Sequence, residues 1–144
     1  MLEVQNLVKS YPGKKNDPHG RVQAVKGISL TVGQGKMFTM LGPSGCGKTT
    51  TLRCIAGLET PDAGEISVAG QCLYSSTQGV RLRAYERGLG MVFQSYAIWP
   101  HLNVFRNVSF PLEVTPRRYR PGRKEIKERV ERALDVVQLG HLAD

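Results

Sequence analysis

Hydrophobic and polar positions change period several times along the chain, and each change marks an expected element. Leu2 and Val4, then Leu7 and Val8, alternate loosely, which predicts a first strand. Residues 12–20, PGKKNDPHG, are rich in proline, glycine and charge and predict a solvated loop or hairpin tip. A second strand is expected over 22–32, VQAVKGISLTV, with Gly27 at a bulge, and Gly33 and Gly35 mark a turn. The run KMFTML, residues 36–41, is nearly continuous in apolar residues, which predicts a buried strand in a sheet covered on both faces. Behind GPSGCGKTT, residues 42–50, the period becomes helical: Leu52, Ile55 and Ala56 share a face, and Gly57 is placed to cap the C-terminus.

Residues 59–64, ETPDAG, read as a turn, and 65–73 as a strand pair folded about Gly70. Residues 75–88 are polar and basic and show no period, except that YERG is suited to a short helix. GMVFQ, residues 90–94, is a second short apolar strand. A helix bounded by prolines is expected within 100–112, with Asn103 as its N-cap. A basic linker, TPRRYRPGRK, covers 115–124. A last helix over about 123–139 sets Ile126, Val130, Leu134 and Val137 on one face and ends at Gly140.

Composition narrows the class. Of 144 residues, 40% are hydrophobic and 22% charged, enough for a globular core. No apolar run is long enough to cross a membrane, and MLEVQNLVKSY does not read as a secretory signal. Three cysteines, Cys46, Cys54 and Cys72, make no disulfide framework, and three scattered histidines make no zinc spacing. The formal charge of +8 admits nucleic acid, an anionic membrane surface, a phosphorylated ligand, or solubility alone.

The chemistry concentrates in residues 42–50. Gly42, Gly47, Lys48 and Thr49 satisfy Gly-x-x-x-x-Gly-Lys-Ser/Thr. Glycines let a backbone curl so that N–H groups converge on phosphate oxygens, and the helix behind adds free N–H groups and its positive dipole end. Lys48 can reach the β- and γ-phosphates, and Thr49 can place its hydroxyl on Mg²⁺. The motif leaves an ATPase, a GTPase and a small-molecule kinase equally open.

Two longer segments narrow the choice. LGPSGCGKTTTLRCIAGLETPDAGEI, residues 41–66, and GMVFQSYAIWPHLNVFRNVSFPL, residues 90–112, resemble the phosphate-loop and Q-loop regions of the nucleotide-binding domain of an ABC transporter. The likeness is nearest to ATPase subunits of bacterial importers for iron(III), polyamines, sulfate, sugars and phosphonates. It implies an α/β fold of the P-loop nucleoside triphosphate hydrolase type, with an N-terminal antiparallel β subdomain and part of a helical subdomain. About 1–95 would hold the β subdomain and part of the P-loop core, and about 96–144 the Q-loop and the start of the helical subdomain. It implies ATP and Mg²⁺, held by Gly42, Pro43, Ser44, Gly45, Cys46, Gly47, Lys48, Thr49 and Thr50. Tyr11 would stack on adenine, against the alternative of a strand-end ring half buried on the sheet. Gln94 would contact Mg²⁺ or its water and sense the γ-phosphate, with Thr49 as the other metal contact and Lys48 the charge on the β/γ-phosphates. Tyr96, Trp99 and His101 would face a permease's coupling helix.

The implied partners are transmembrane permease subunits, a second ATP-binding subunit and, indirectly, a solute-binding protein, with no nucleic acid. The implied place is the cytoplasmic face of the cell membrane. The same likeness implies parts not found in these residues: a signature loop, an acidic strand ending in Asp and Glu, and a switch histidine. The chain is therefore expected to be the N-terminal part of such a domain and to hydrolyse little ATP by itself. Arg106 departs from the acidic residue usual in the subgroup. Two further readings are a soluble ABC-type ATPase acting on DNA or ribosomes, suggested by Arg117, Arg118, Arg120, Arg123 and Lys124, and a P-loop small-molecule kinase.

Overall fold

The computed structural model describes residues 1–13, 20–95 and 98–142. Most of the loop expected within 12–20, and Tyr96, lie outside the described residues. The chain divides into two compact units, Met1–Val92 and Phe93–Asp144.

The first unit is built on a five-stranded antiparallel sheet. Its strands are β1 (Leu2–Pro12), β2 (Arg21–Val32), β3 (Ala63–Val68), β4 (Gln71–Ser75) and β5 (Val80–Arg81), in the order β2-β1-β3-β4-β5. Val4 pairs with Leu30 on one side and Ile66 on the other, and Ile66 pairs with Tyr74, so one apolar row crosses four strands. Directly opposed side chains in such a sheet share a face, which is why this row can be buried as a unit. Val4, Leu7, Val25, Ile66 and Leu73 are all buried, together with Cys54 from the first helix. Burial of a Leu- or Ile-sized side chain contributes about 1.5–3 kcal/mol. Burial also pushes the Cys54 thiol up to about 11, so it behaves as a small apolar group.

The bulge expected at Gly27 is present. The register jumps from Leu7↔Ile28 to Val8↔Lys26, leaving Gly27 unpaired at φ 74°. The expected strand pair is a hairpin whose two turn residues, Ala69 and Gly70, are both left-handed, the twist that joins adjacent strands most directly.

The helix α1 spans Lys48–Ala56 and ends, as expected, at left-handed Gly57, whose N–H bonds back to Arg53 and Cys54 carbonyls. Leu52, Ile55 and Ala56 share a face as expected, but the buried residues of the helix lie on another. Thr51 and Cys54 face the core, whereas Leu52 is exposed and, with Ile55 and Ala56, lines a groove beside Leu89, Met91 and Val92. The unassigned segment 75–88 contains β5 and a 3₁₀ turn over Ala84–Glu86, where the Glu86 carboxylate accepts from the Arg83 N–H.

Neither short apolar run forms a strand. Residues 36–41 and 90–94 belong to no ladder, and Met37, Leu41 and Val92 are 95%, 89% and 98% exposed. A buried central strand needs a neighbour on each side, and no described strand pairs with either run.

The second unit pairs two helices, α2 (Val104–Glu113) and α3 (Arg123–Val136). Phe105, Val108 and Leu112 of α2 pack on Ile126, Val130 and Leu134 of α3. Asn103 caps α2 as expected, its side chain accepting from the Arg106 N–H at 2.8 Å. Pro111 lies inside the last turn of α2 rather than at its boundary. α3 stops earlier than the expected 139. Gln138 turns left-handed at φ 60°, its N–H bonds to Asp135 O and the Leu139 N–H to Leu134 O. That double closure ends the helix before Gly140 and leaves Val137 exposed instead of on the apolar face.

Candidate functional site

Residues 42–47 form a tight loop that feeds directly into α1. Gly47 is the N-cap, left-handed at φ 96°. A Cβ there would lie 2.2 Å from the Ala24 carbonyl oxygen on β2, so both backbone conformation and close approach require glycine. The Thr51 N–H and hydroxyl both donate to Gly47 O at 2.9 Å, which fixes the first turn against the loop.

Because glycine has no side chain, no capping bond covers the first N–H groups of α1. Those donors, the dipole end and Lys48 lie together. The Lys48 ammonium donates to Gly42 O at 2.7 Å and Pro43 O at 2.8 Å, and lies 3.5 Å from Cys46 Sγ, so the loop itself holds the charge at its opening turn. Ser44, Gly45 and Cys46 are exposed, although the Cys46 N–H is directed toward Pro43 O at 3.4 Å. Thr49 is exposed, and Thr50 is half-buried in the same turn. Uncapped donors and a nearby ammonium make a place suited to a multiply charged anion. A cavity of about 650 Å³ runs beside the loop, lined by Gln23, Val25, Phe38, Gly47 and Lys48 among others.

Tyr11 stands on β1 opposite Val22 and is half-buried. It does not line that cavity, and the Lys9 ammonium sits 5.3 Å from its ring centroid. Lys9 also donates to Thr60 O at 2.7 Å and pairs with Glu59 at 3.1 Å, linking β1 to the chain just past α1. Gln94 is exposed and belongs to the second unit, so the loop geometry above draws on the first unit alone. Among the described residues no group of three or more His, Cys, Asp or Glu could hold a metal ion. A magnesium ion here would depend on phosphate oxygens together with groups such as the Thr49 hydroxyl.

In the second unit, residues 99–103 are shaped by a side chain that sequence reasoning missed. The Asn107 amide accepts from the Trp99 N–H at 2.7 Å and donates to Trp99 O, Leu102 O and Asn103 O at 2.9–3.1 Å. Trp99 lies 5.6 Å from Phe110 and 6.1 Å from His101, centroid to centroid, and remains half exposed. Arg87 was missed as well. It is 6% exposed and bonds to Cys54 O, Ile55 O and Leu82 O. Burial lowers its pKa from the ordinary arginine range. No periodicity could have marked it, since a charged residue in an unassigned basic stretch reads as surface.

Comparison with known proteins gives concordant findings. The family model described as ABC transporter matches residues 25–144. The sulfate/thiosulfate import ATP-binding protein CysA of Methylococcus capsulatus is 47% identical over 99% of this chain, and the chain spans 37% of that relative's length. The protein of the same name from Acinetobacter baylyi is 46% identical, with 36% of its length covered. A bacterial ABC transporter cassette solved as a dimer superposes with a TM-score of 0.81 at 26% identity, over all of this chain and 60% of that one.

Proposed function

We propose that this chain, which belongs to the ABC transporter family, is the phosphate-binding part of an importer's ATP-binding subunit, coupling Mg-ATP binding and hydrolysis to solute passage through a permease. The observation that carries the reading is the uncapped N-terminus of α1 with Lys48 folded onto its own loop. The two import ATP-binding relatives support the importer assignment. The fold is that of the ABC ATPase cassettes. A DNA- or ribosome-directed ATPase and a small-molecule kinase find no comparable support.

The residues divide the work. Backbone N–H groups of 44–50 take the phosphates, and Lys48 places one positive charge where charge gathers during phosphoryl transfer. Thr49 presents the hydroxyl that fits Mg²⁺, with Gln94 as the second candidate contact. Bound Mg-ATP supplies the phosphoanhydride whose cleavage drives the cycle. Tyr11 gives the adenine an aromatic face. The 99–103 loop, held by Asn107 and carrying Trp99 and His101, is suited to seat a permease segment, because a rigid exposed aromatic loses little freedom on docking. Two such subunits would work as a pair on the cytoplasmic face of the membrane beside the permease, served by a solute-binding protein.

Titration of the full-length protein with Mg-ATP tests this. A charge-assisted hydrogen bond contributes about 1.5–3 kcal/mol, so Lys48→Ala should weaken binding by about ten- to a hundredfold. Unchanged affinity would overturn the assignment. Gln94→Ala should bind ATP nearly as well as the parent while vesicle uptake falls sharply, and normal uptake would remove Gln94 from the coupling role.

A further inference from the structure

Arg87 is a buried cation whose hydrogen bonds, among the described residues, all go to backbone carbonyls. Its Nη1 donates to Cys54 O and Ile55 O, both at 2.8 Å, and its Nε to Leu82 O at 3.0 Å. Cys54 and Ile55 are in the last turn of α1, where the dipole is negative and carbonyls are short of helical partners, although Cys54 O also accepts from the Gly57 N–H. Leu82 is in turn tied to the sheet, since its N–H donates to Leu73 O on β4. One guanidinium therefore joins the far end of α1 to the antiparallel sheet. Gly57 is shaped around this joint, because a Cβ there would lie 2.5 Å from Arg87 Nε.

α1 is short enough to act as a lever. Its nine residues span about 13 Å, so a tilt of roughly 10° at one end moves the other by about 2 Å. The near end carries Gly47 and Lys48. The sheet to which the far end is tied carries Tyr11 on β1. A ligand held by phosphates at one place and by its base at the other needs these two places at a set separation. An error of even 1 Å can be costly.

We infer that Arg87 is a positioning residue that sets the separation between the phosphate loop on α1 and Tyr11 on β1, so that a nucleoside triphosphate engages both ends at once. The inference rests on the proposed roles of the phosphate loop and Tyr11. Arg87 touches neither ligand end. The Lys9 bridge to Thr60 O supplies a second tie between β1 and the chain after α1, so loss of Arg87 should loosen the arrangement rather than abolish it.

The test compares two probes on the full-length protein, Mg-ATP and Mg-tripolyphosphate. Arg87→Met should weaken ATP by about tenfold and leave tripolyphosphate within about twofold, since a bare triphosphate needs only the loop. Arg87→Lys, able to reach fewer carbonyls, should fall between. Equal losses for both probes would mean that Arg87 merely supports the fold or the loop, and no loss for either would remove the role; both outcomes overturn the inference. Tyr11→Ala combined with Arg87→Met should bind ATP no more than about twofold worse than the weaker single variant, because both act on one engagement. Multiplying losses would also overturn it. Should Arg87→Met fail to fold, Arg87→Lys carries the same two-probe comparison. A Lys48→Ala variant that keeps both probes would instead sink the functional reading itself, which separates the two failures.

Discussion

The helices α1 and α2 begin in opposite ways. Both leave a first turn of N–H donors that the helix cannot satisfy internally. α2 solves this within the chain: the Asn103 side chain accepts from the Arg106 N–H at 2.8 Å. α1 starts at left-handed Gly47 with no side-chain cap, and its neighbours are an ammonium and an exposed threonine, Thr49. The difference shows how a candidate binding turn is made from the same element as a structural one. Removing the capping side chain sacrifices some local stability and leaves directed donors for an external anion.

Gly47→Ala should break the comparison most severely. It forces a left-handed non-glycine residue, costing about 1–2 kcal/mol, and drives a Cβ to within 2.2 Å of Ala24 O. Nucleotide binding should be lost in a titration, and thermal unfolding should begin at lower temperature. Retained binding would show that the turn does not depend on this approach. Asn103→Ala should cost about 1 kcal/mol in denaturant unfolding while leaving ATP affinity unchanged, because its cap serves stability alone. A fall in ATP affinity would show that the two helix starts are not independent. The smallest effect is expected from Asn103→Gly, only a few tenths of a kcal/mol by the same measurement. A loss as large as alanine's would mean that the Asn103 side chain does more than cap.

The residues of the candidate turn were legible because their requirements are local. Gly42, Gly47, Lys48 and Thr49 announce a phosphate cradle by type and spacing, and Gly57 and Asn103 announce helix ends by the conformations and bonds that those residue types favour. The antiparallel strands were legible for a similar reason, since alternation and turn residues encode which side chains face a core. Even the bulge at Gly27 had a local mark.

Segments 36–41 and 90–94 were not legible in the same way. Their apolar runs resemble buried strands, yet Val92 and Met37 stand exposed, because a strand exists only where another chain segment completes its ladder. Helical spacing identified the apolar face of Leu52, Ile55 and Ala56, but not that packing would bury Thr51 and Cys54. Arg87 and Asn107 were silent, since each works through backbone carbonyls that only the folded chain brings within reach. Sequence alone therefore determined the elements whose cause lies within a few residues: the glycine-rich turn before α1, the caps, the hairpin and the amphipathic face of α3. Tertiary structure alone decided which apolar runs found partners, which face of α1 was buried, and where a buried guanidinium could tie a helix to a sheet. Those outcomes depend on groups far apart in the chain, and no local pattern records their meeting.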